Sequence, residues 1–164
     1  MERIYAVLIC ALFLSCKDTV KVKASAVEKT TSVQEIPVSQ LKKDLEDRGF
    51  QTFNYVDEKT KDTVLMQQYF IAFLKKGPNR SSTKEEAYSL QRLHLAHLGR
   101  MYEEAFADIS GPFGDDGEIR GITVYNVPNL QMADSLAKMD PMVKSGRLTI
   151  EIHPWWAAKG FKLR

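Results

Sequence analysis

Apolar and polar positions change their rhythm several times along this chain, and each change marks an element. Ile4 to Leu14 is an unbroken apolar run, whereas residues 17–35 are polar with neither a helical nor a strand period. Residues 38–49 predict a short helix capped by Ser39, with Leu41 and Leu45 on one face and Gly49 as its stop. Phe53 and Tyr55 alternate with polar neighbours in a short strand, and Asp57 to Asp62 is a polar turn. Tyr69 to Leu74 is apolar on both parities, which predicts a strand buried on both faces. Lys75-Lys76-Gly77-Pro78 ends it. Ser82 and Glu85 have the spacing of a capping box, so a long helix is expected from Thr83 to about Glu104. On that helix Ala87, Leu90, His94, His97 and Met101 share one face. A second strand over 106–110 leads to a turn at Gly111-Pro112, and Asp115-Asp116-Gly117 is a further turn. Ile122, Val124 and Asn126 alternate with Thr123, Tyr125 and Val127 in a third strand. Asn129 caps a second helix with Ala133, Leu136 and Ala137 inward, and Pro141 stops it. Leu148, Ile150 and Ile152 alternate with Thr149, Glu151 and His153 in a last, half-buried strand.

From Leu65 onward the order is β-α-β-β-α-β, an α+β chain of the ferredoxin-like type, with two helices on one face of a four-stranded sheet. A first strand that is apolar on both sides needs cover on its second face, and the simplest cover is a symmetric copy, hence a homodimer.

A length of 164 residues suits one domain with some chain left over. Apolar content of 44%, charged content of 27% and a net charge of +2 with interleaved signs describe a globular domain without the basic stripe that nucleic acid requires. The N-terminal apolar run is too short to span a bilayer as a resident helix, which takes about 20 residues, and it fits the apolar region of a secretory signal. Ser15-Cys16 behind it looks like a lipobox, in which Cys16 becomes the lipidated first residue of an exported, membrane-anchored bacterial lipoprotein of the cell envelope. The expected division is therefore a signal over 1–15, a tether and N-terminal extension over 16–64, and the domain over 65–160. Cys10 and Cys16 are the only cysteines, so the domain beyond them has no disulfide or thiolate metal site.

Few residues carry candidate chemistry. His94 and His97 point along an apolar stripe, where an imidazole is either satisfied by buried hydrogen bonds or held for use. Asp140, read as the end of the second helix, sits where the helix dipole disfavours a carboxylate and needs a stabiliser. A backbone N–H beyond Pro141, a cation or an imidazolium would serve. Both helices lie on the same sheet face, so a His94–Asp140 pair is geometrically possible. His94, His97 and Asp140 are also a conceivable metal set, but nothing else in the sequence supports a metal or another cofactor. His153 is read as an edge or dimer-face residue, and Trp155 and Trp156 as closing the core or an interface. Lys75 to Arg80 lacks phosphate-loop spacing and reads as a solvated turn.

The helical histidines, Ser110-Gly111-Pro112, the run Asp140-Pro141-Met142-Val143-Lys144-Ser145-Gly146-Arg147 and the terminal His153-Pro154-Trp155-Trp156, in that order, resemble the YCII-related (YciI-like) family over about residues 67–160. The resemblance implies a dimeric α+β barrel. It also implies an active-site dyad: counting back from Gly111-Pro112 places its histidine on His94, and the Asp-Pro segment places its aspartate on Asp140. Some members of that family remove halide from hydroxylated rings or rearrange them, so the substrate it implies is a small cyclic enol or phenol. In that mechanism Asp140 orients and charges His94, His94 is general acid and base, and Ser110 with the backbone near Gly111 hydrogen-bonds an oxyanion. The competing expectation is a membrane-tethered, non-catalytic module that binds a small ligand or a partner.

Overall fold

The computed structural model describes residues 36–80, 83–161 and 163. The apolar run at 4–14, Cys16, the segment 17–35 and Ser82 lie outside the described residues.

Helix α1 spans Val38–Asp47 and begins two residues after Ile36, behind Pro37 and not behind Ser39, which falls inside its first turn. Proline at the helix entrance has the backbone angle a helix start requires and gives up no needed N–H. Gly49 ends the turn with φ +85°, a conformation that a side chain would disfavour. Strand β1, Thr52–Val56, then pairs antiparallel with the first residues of β2, Thr63–Lys76, in the register Thr52↔Gln67. The segment between 38 and 56 is thus an extra helix and an extra strand of the sheet.

The remaining elements are α2 (Lys84–Glu103), β3 (Ala107–Pro112), β4 (Ile119–Tyr125), α3 (Leu130–Lys138), α4 (Pro141–Lys144) and β5 (Leu148–Ala158). β5 runs the length of β2 on one side, from Met66↔Ala158 to Lys76↔Leu148. β4 pairs with the other side of β2 through Phe70↔Tyr125, and β3 pairs with β4 at the edge. The spatial order β5-β2-β4-β3, all antiparallel, with helices after β2 and β4, is the ferredoxin-like arrangement. β1 extends the β4 side beyond the end of β4, which makes a mixed α+β fold on a five-stranded sheet.

Parity in β2 divides the molecule. Phe70 and Ala72 face α2 and α3, in a core with Met101, Ala107, Tyr125, Val127, Ala133 and Ala137. Each large apolar side chain buried there contributes about 1.5–3 kcal/mol. Leu65, of the opposite parity, packs with Leu45 and Phe50 under α1. Farther along that second face, Ile71 and Phe73 are half-buried, and Ile109 and Trp155 are exposed. Trp155 meets Tyr69 and Trp156 meets Phe53, both tryptophans at the surface, so of the two expected places, core or interface, they do not take the core of the chain. Among the described residues no helix is long and apolar enough to cross a membrane.

Candidate active site

The long helix α2 opens with a capping box made one residue later than its spacing suggested. Thr83 Oγ1 accepts from Glu86 N–H at 3.2 Å, and Glu86 accepts from Thr83 N–H at 2.8 Å. The helix then presents His94, His97 and Met101 to the interior, all three buried as the stripe predicted.

Asp140 lies elsewhere than the sequence suggested. α3 is capped by Asn129, whose side chain accepts from Met132 N–H at 2.9 Å, and it closes at Met139. Pro141 does not stop that helix; it starts the next. Proline suits both positions, because it interrupts a helix from within and is preorganised for the first residue of a new one. Asp140 is therefore the N-cap of the single turn α4, not a helix C-terminus, and its Oδ1 accepts from Met142 N–H at 2.9 Å. Its other oxygen, Oδ2, lies 2.6 Å from His94 Nδ1. Asp140 is 2% exposed and His94 8%, so the pair is removed from water. One carboxylate thus satisfies a backbone donor and an imidazole at once. With Nδ1–H held by Asp140, Nε2 carries the lone pair that can meet a ligand.

A cavity of about 360 Å³ opens beside this pair, at the lower end of the usual size for small-molecule sites. α2 walls it with Gln91, His94, Leu95 and Leu98. The sheet supplies Leu74, Ser110, Gly121 and Ile122, and Met142 and Leu148 close one end. His94 and Ser110 are thereby brought to one cavity, with Asp140 behind His94. Ser110 Oγ donates to Thr123 Oγ1 at 3.1 Å, so a hydrogen bond to a ligand oxyanion requires its hydroxyl to turn. Gly111-Pro112 is not a turn: both residues lie in β3, opposite Ile122 and Gly121. Proline is tolerated there because β3 is an edge strand.

His97 is not at the cavity wall. Its Nδ1 lies 3.3 Å from Arg100 Nη2, and its buried Nε2 has no hydrogen-bond partner among the described residues. Among the described residues no three His, Cys, Asp or Glu side chains converge as metal ligands. His153 sits on the far sheet face, bonded to Glu151 at 2.8 Å and edge-on to Phe73. Arg80, read from the sequence as part of a solvated turn, lines the cavity together with Arg120 and Arg147, to which sequence reasoning gave no role. The only hint was that Arg147 stands in the run after Asp140; nothing local linked it to the other two.

Burial pushes the Tyr125 phenol above its ordinary range, and the nearby Asp140 carboxylate pushes the same way. Tyr125 is therefore a neutral hydroxyl at any working pH. Burial also holds the His97 imidazole below its ordinary value; Asp140 opposes this, while Arg100, His94 and Lys144 reinforce it. The unfolded chain, with a histidine value of about 6.5, then binds a proton that the native state refuses. The contribution of His97 to stability is present above that value and is lost as pH falls through the lower folded one. His97→Leu is expected to flatten the decline in urea midpoint as pH falls below about 6.5. An unchanged decline would assign the acid sensitivity to other groups.

No family model matches the chain, and no curated protein matches it. Among solved structures the chain is similar to 5-chloro-2-hydroxyhydroquinone dehydrochlorinase from Burkholderia phenoliruptrix in complex with 2,5-dihydroxybenzoquinone. The identity is 18%, the match covers 53% of this chain and 92% of that one, and the TM-score is 0.42.

Proposed function

We propose that this protein is a small lyase or isomerase that acts on a compact cyclic enol or phenol, with His94 as general acid and base. The observation that carries the reading is the buried His94 Nδ1–Asp140 Oδ2 contact of 2.6 Å beside a cavity of substrate size. Asp140 accepts a hydrogen bond from Nδ1–H and holds one tautomer. The Nε2 lone pair takes a proton from the ring hydroxyl or an adjacent carbon, and electrons move into the ring as that bond breaks. The imidazolium, stabilised by the Asp140 charge, returns the proton to another ring position or to a departing group. Ser110, once turned from Thr123, donates to the oxygen on which charge develops. The resemblance of the motif order to that of YCII-related proteins supports the same pair.

The test is a thermal-shift screen of the full chain and of His94→Ala against phenols, enols and lactones, followed by turnover assays on any hit. A ligand that stabilises the parent but not the variant is expected, with turnover lowered about 10²–10⁴-fold in the variant. A ligand that is turned over equally by both proteins would remove His94 from the mechanism.

A further inference from the structure

The cavity has a charge pattern that proton transfer by His94 does not use. Arg80 follows β2, Arg120 lies in β4 and Arg147 precedes β5, yet all three line one cavity. Backbone lacing brings two of them together. Gly77 N–H donates to the Arg147 carbonyl at 3.0 Å, Asn79 N–H to the Gly146 carbonyl at 3.1 Å, and Asn79 Nδ2 to the Ser145 carbonyl at 2.8 Å. Arg80 Nη1 itself reaches the Arg147 carbonyl at 3.4 Å. Arg120 comes from the opposite wall. Its Nη1 lies 3.4 Å from the Asp115 and Gly117 carbonyls and from Asp116 Oδ1. Asp116 is fully exposed in its side chain, so water screens that ion pair heavily.

No carboxylate side chain is among the described residues that line the cavity. Three arginines line a space whose other walls are mostly Leu and Met, with Gln91, His94 and Ser110 as the further polar side chains. Apolar walls concentrate the field of such charges, and guanidinium donors match the two oxygens of a carboxylate.

We propose that the cavity binds a small organic carboxylate, its acid group at Arg80 and Arg120 and its ring or enol against His94. The anion site stands on the arginines; only the placement of the ring rests on the proposed role of His94. A compact substrate bearing an acid group would be held by its unreactive end while the reacting hydroxyl meets Nε2.

The probes are salicylate, salicylamide (the same shape without the charge) and inorganic phosphate. Each is titrated calorimetrically into the full chain at low and high salt, while the His94 imidazole is followed by NMR. Salicylate is expected to bind at least about tenfold more tightly than salicylamide, a preference that high salt reduces. Arg80→Gln with Arg120→Gln should erase the preference. Equal binding of salicylate and salicylamide in the parent, or no salicylate binding at millimolar concentration, overturns the proposal without depending on a variant. Phosphate that binds as tightly as salicylate also overturns it, because the site would then read a bare anion. Salicylamide that shifts the His94 imidazole without any carboxylate preference leaves the general-base reading intact and rejects the anion site. A carboxylate preference with a motionless His94 imidazole keeps the anion site and rejects the placement of the ring.

Discussion

Asp140→Ala is expected to lower the unfolding free energy by about 2–4 kcal/mol, read as a drop in urea midpoint at unchanged slope. Two losses add. Met142 N–H loses the side-chain cap that Asp140 Oδ1 provides at 2.9 Å, a change that costs about 1 kcal/mol. His94 Nδ1, buried 2.6 Å from Asp140 Oδ2, loses its partner, and an orphaned buried donor costs about 1–3 kcal/mol. Asp140→Asn separates stability from chemistry. Its side-chain oxygen can keep the cap, so it should fold with a smaller loss. Its amide would then donate to His94 Nδ1 and force the proton onto Nε2, which leaves no base facing the cavity. A stable Asp140→Asn protein that binds and turns over ligand like the parent would show that the tautomer does not matter. An Asp140→Ala protein as stable as the parent would show that neither bond contributes.

Gly77→Ala is expected to be at least as damaging, although it removes nothing. A Cβ at residue 77 would stand 2.1 Å from the Gly146 carbonyl oxygen and 2.7 Å from the Arg147 carbonyl carbon. Both are backbone atoms, so no side chain can swing aside. Overpacking of this kind costs about 1–3 kcal/mol and occasionally more, and a clash with backbone belongs at the upper end. The strain also falls on the function, since the same contact holds Arg147 and Leu148 at the cavity wall. Gly99→Ala is the control. It lies within α2 with no described atom within 4 Å of the added carbon beyond its chain neighbours and the helix's own backbone, and in a helix interior alanine is favoured over glycine by about 1 kcal/mol. Chemical unfolding of the two variants should therefore give shifts of opposite sign. A neutral Gly77→Ala would mean that the junction of β2 and β5 is not tightly closed.

Much of the fold was legible because its signals are periodic and local. The alternation at 148–153 became β5, the doubly apolar run at 69–74 became the middle of β2, and Asn129 capped α3 as its side chain predicts. Misreadings arose where one residue type suits two geometries. Pro141 fits after a helix and at the start of one, and choosing the first reversed the expected surroundings of Asp140. Gly111-Pro112 looks like a turn, but an edge strand accepts both residues. Ser82 and Thr83 are both followed three residues later by Glu, and local spacing alone did not select Thr83.

The sequence by itself determined the two-helix ferredoxin-like order and the histidine stripe, because helical and strand periods are properties of neighbours along the chain. It brought His94 and Asp140 only as far as the same sheet face. The 2.6 Å contact, the exchange of an unfavourable helix end for a cap, and the convergence of Arg80, Arg120 and Arg147 were decided by the tertiary structure alone. The arginines stand 27 to 67 positions apart and His94 and Asp140 stand 46 apart, and no local propensity couples them. They meet because antiparallel pairing returns the chain to one end of β2, where the backbone of residues 77–79 closes on that of 145–147.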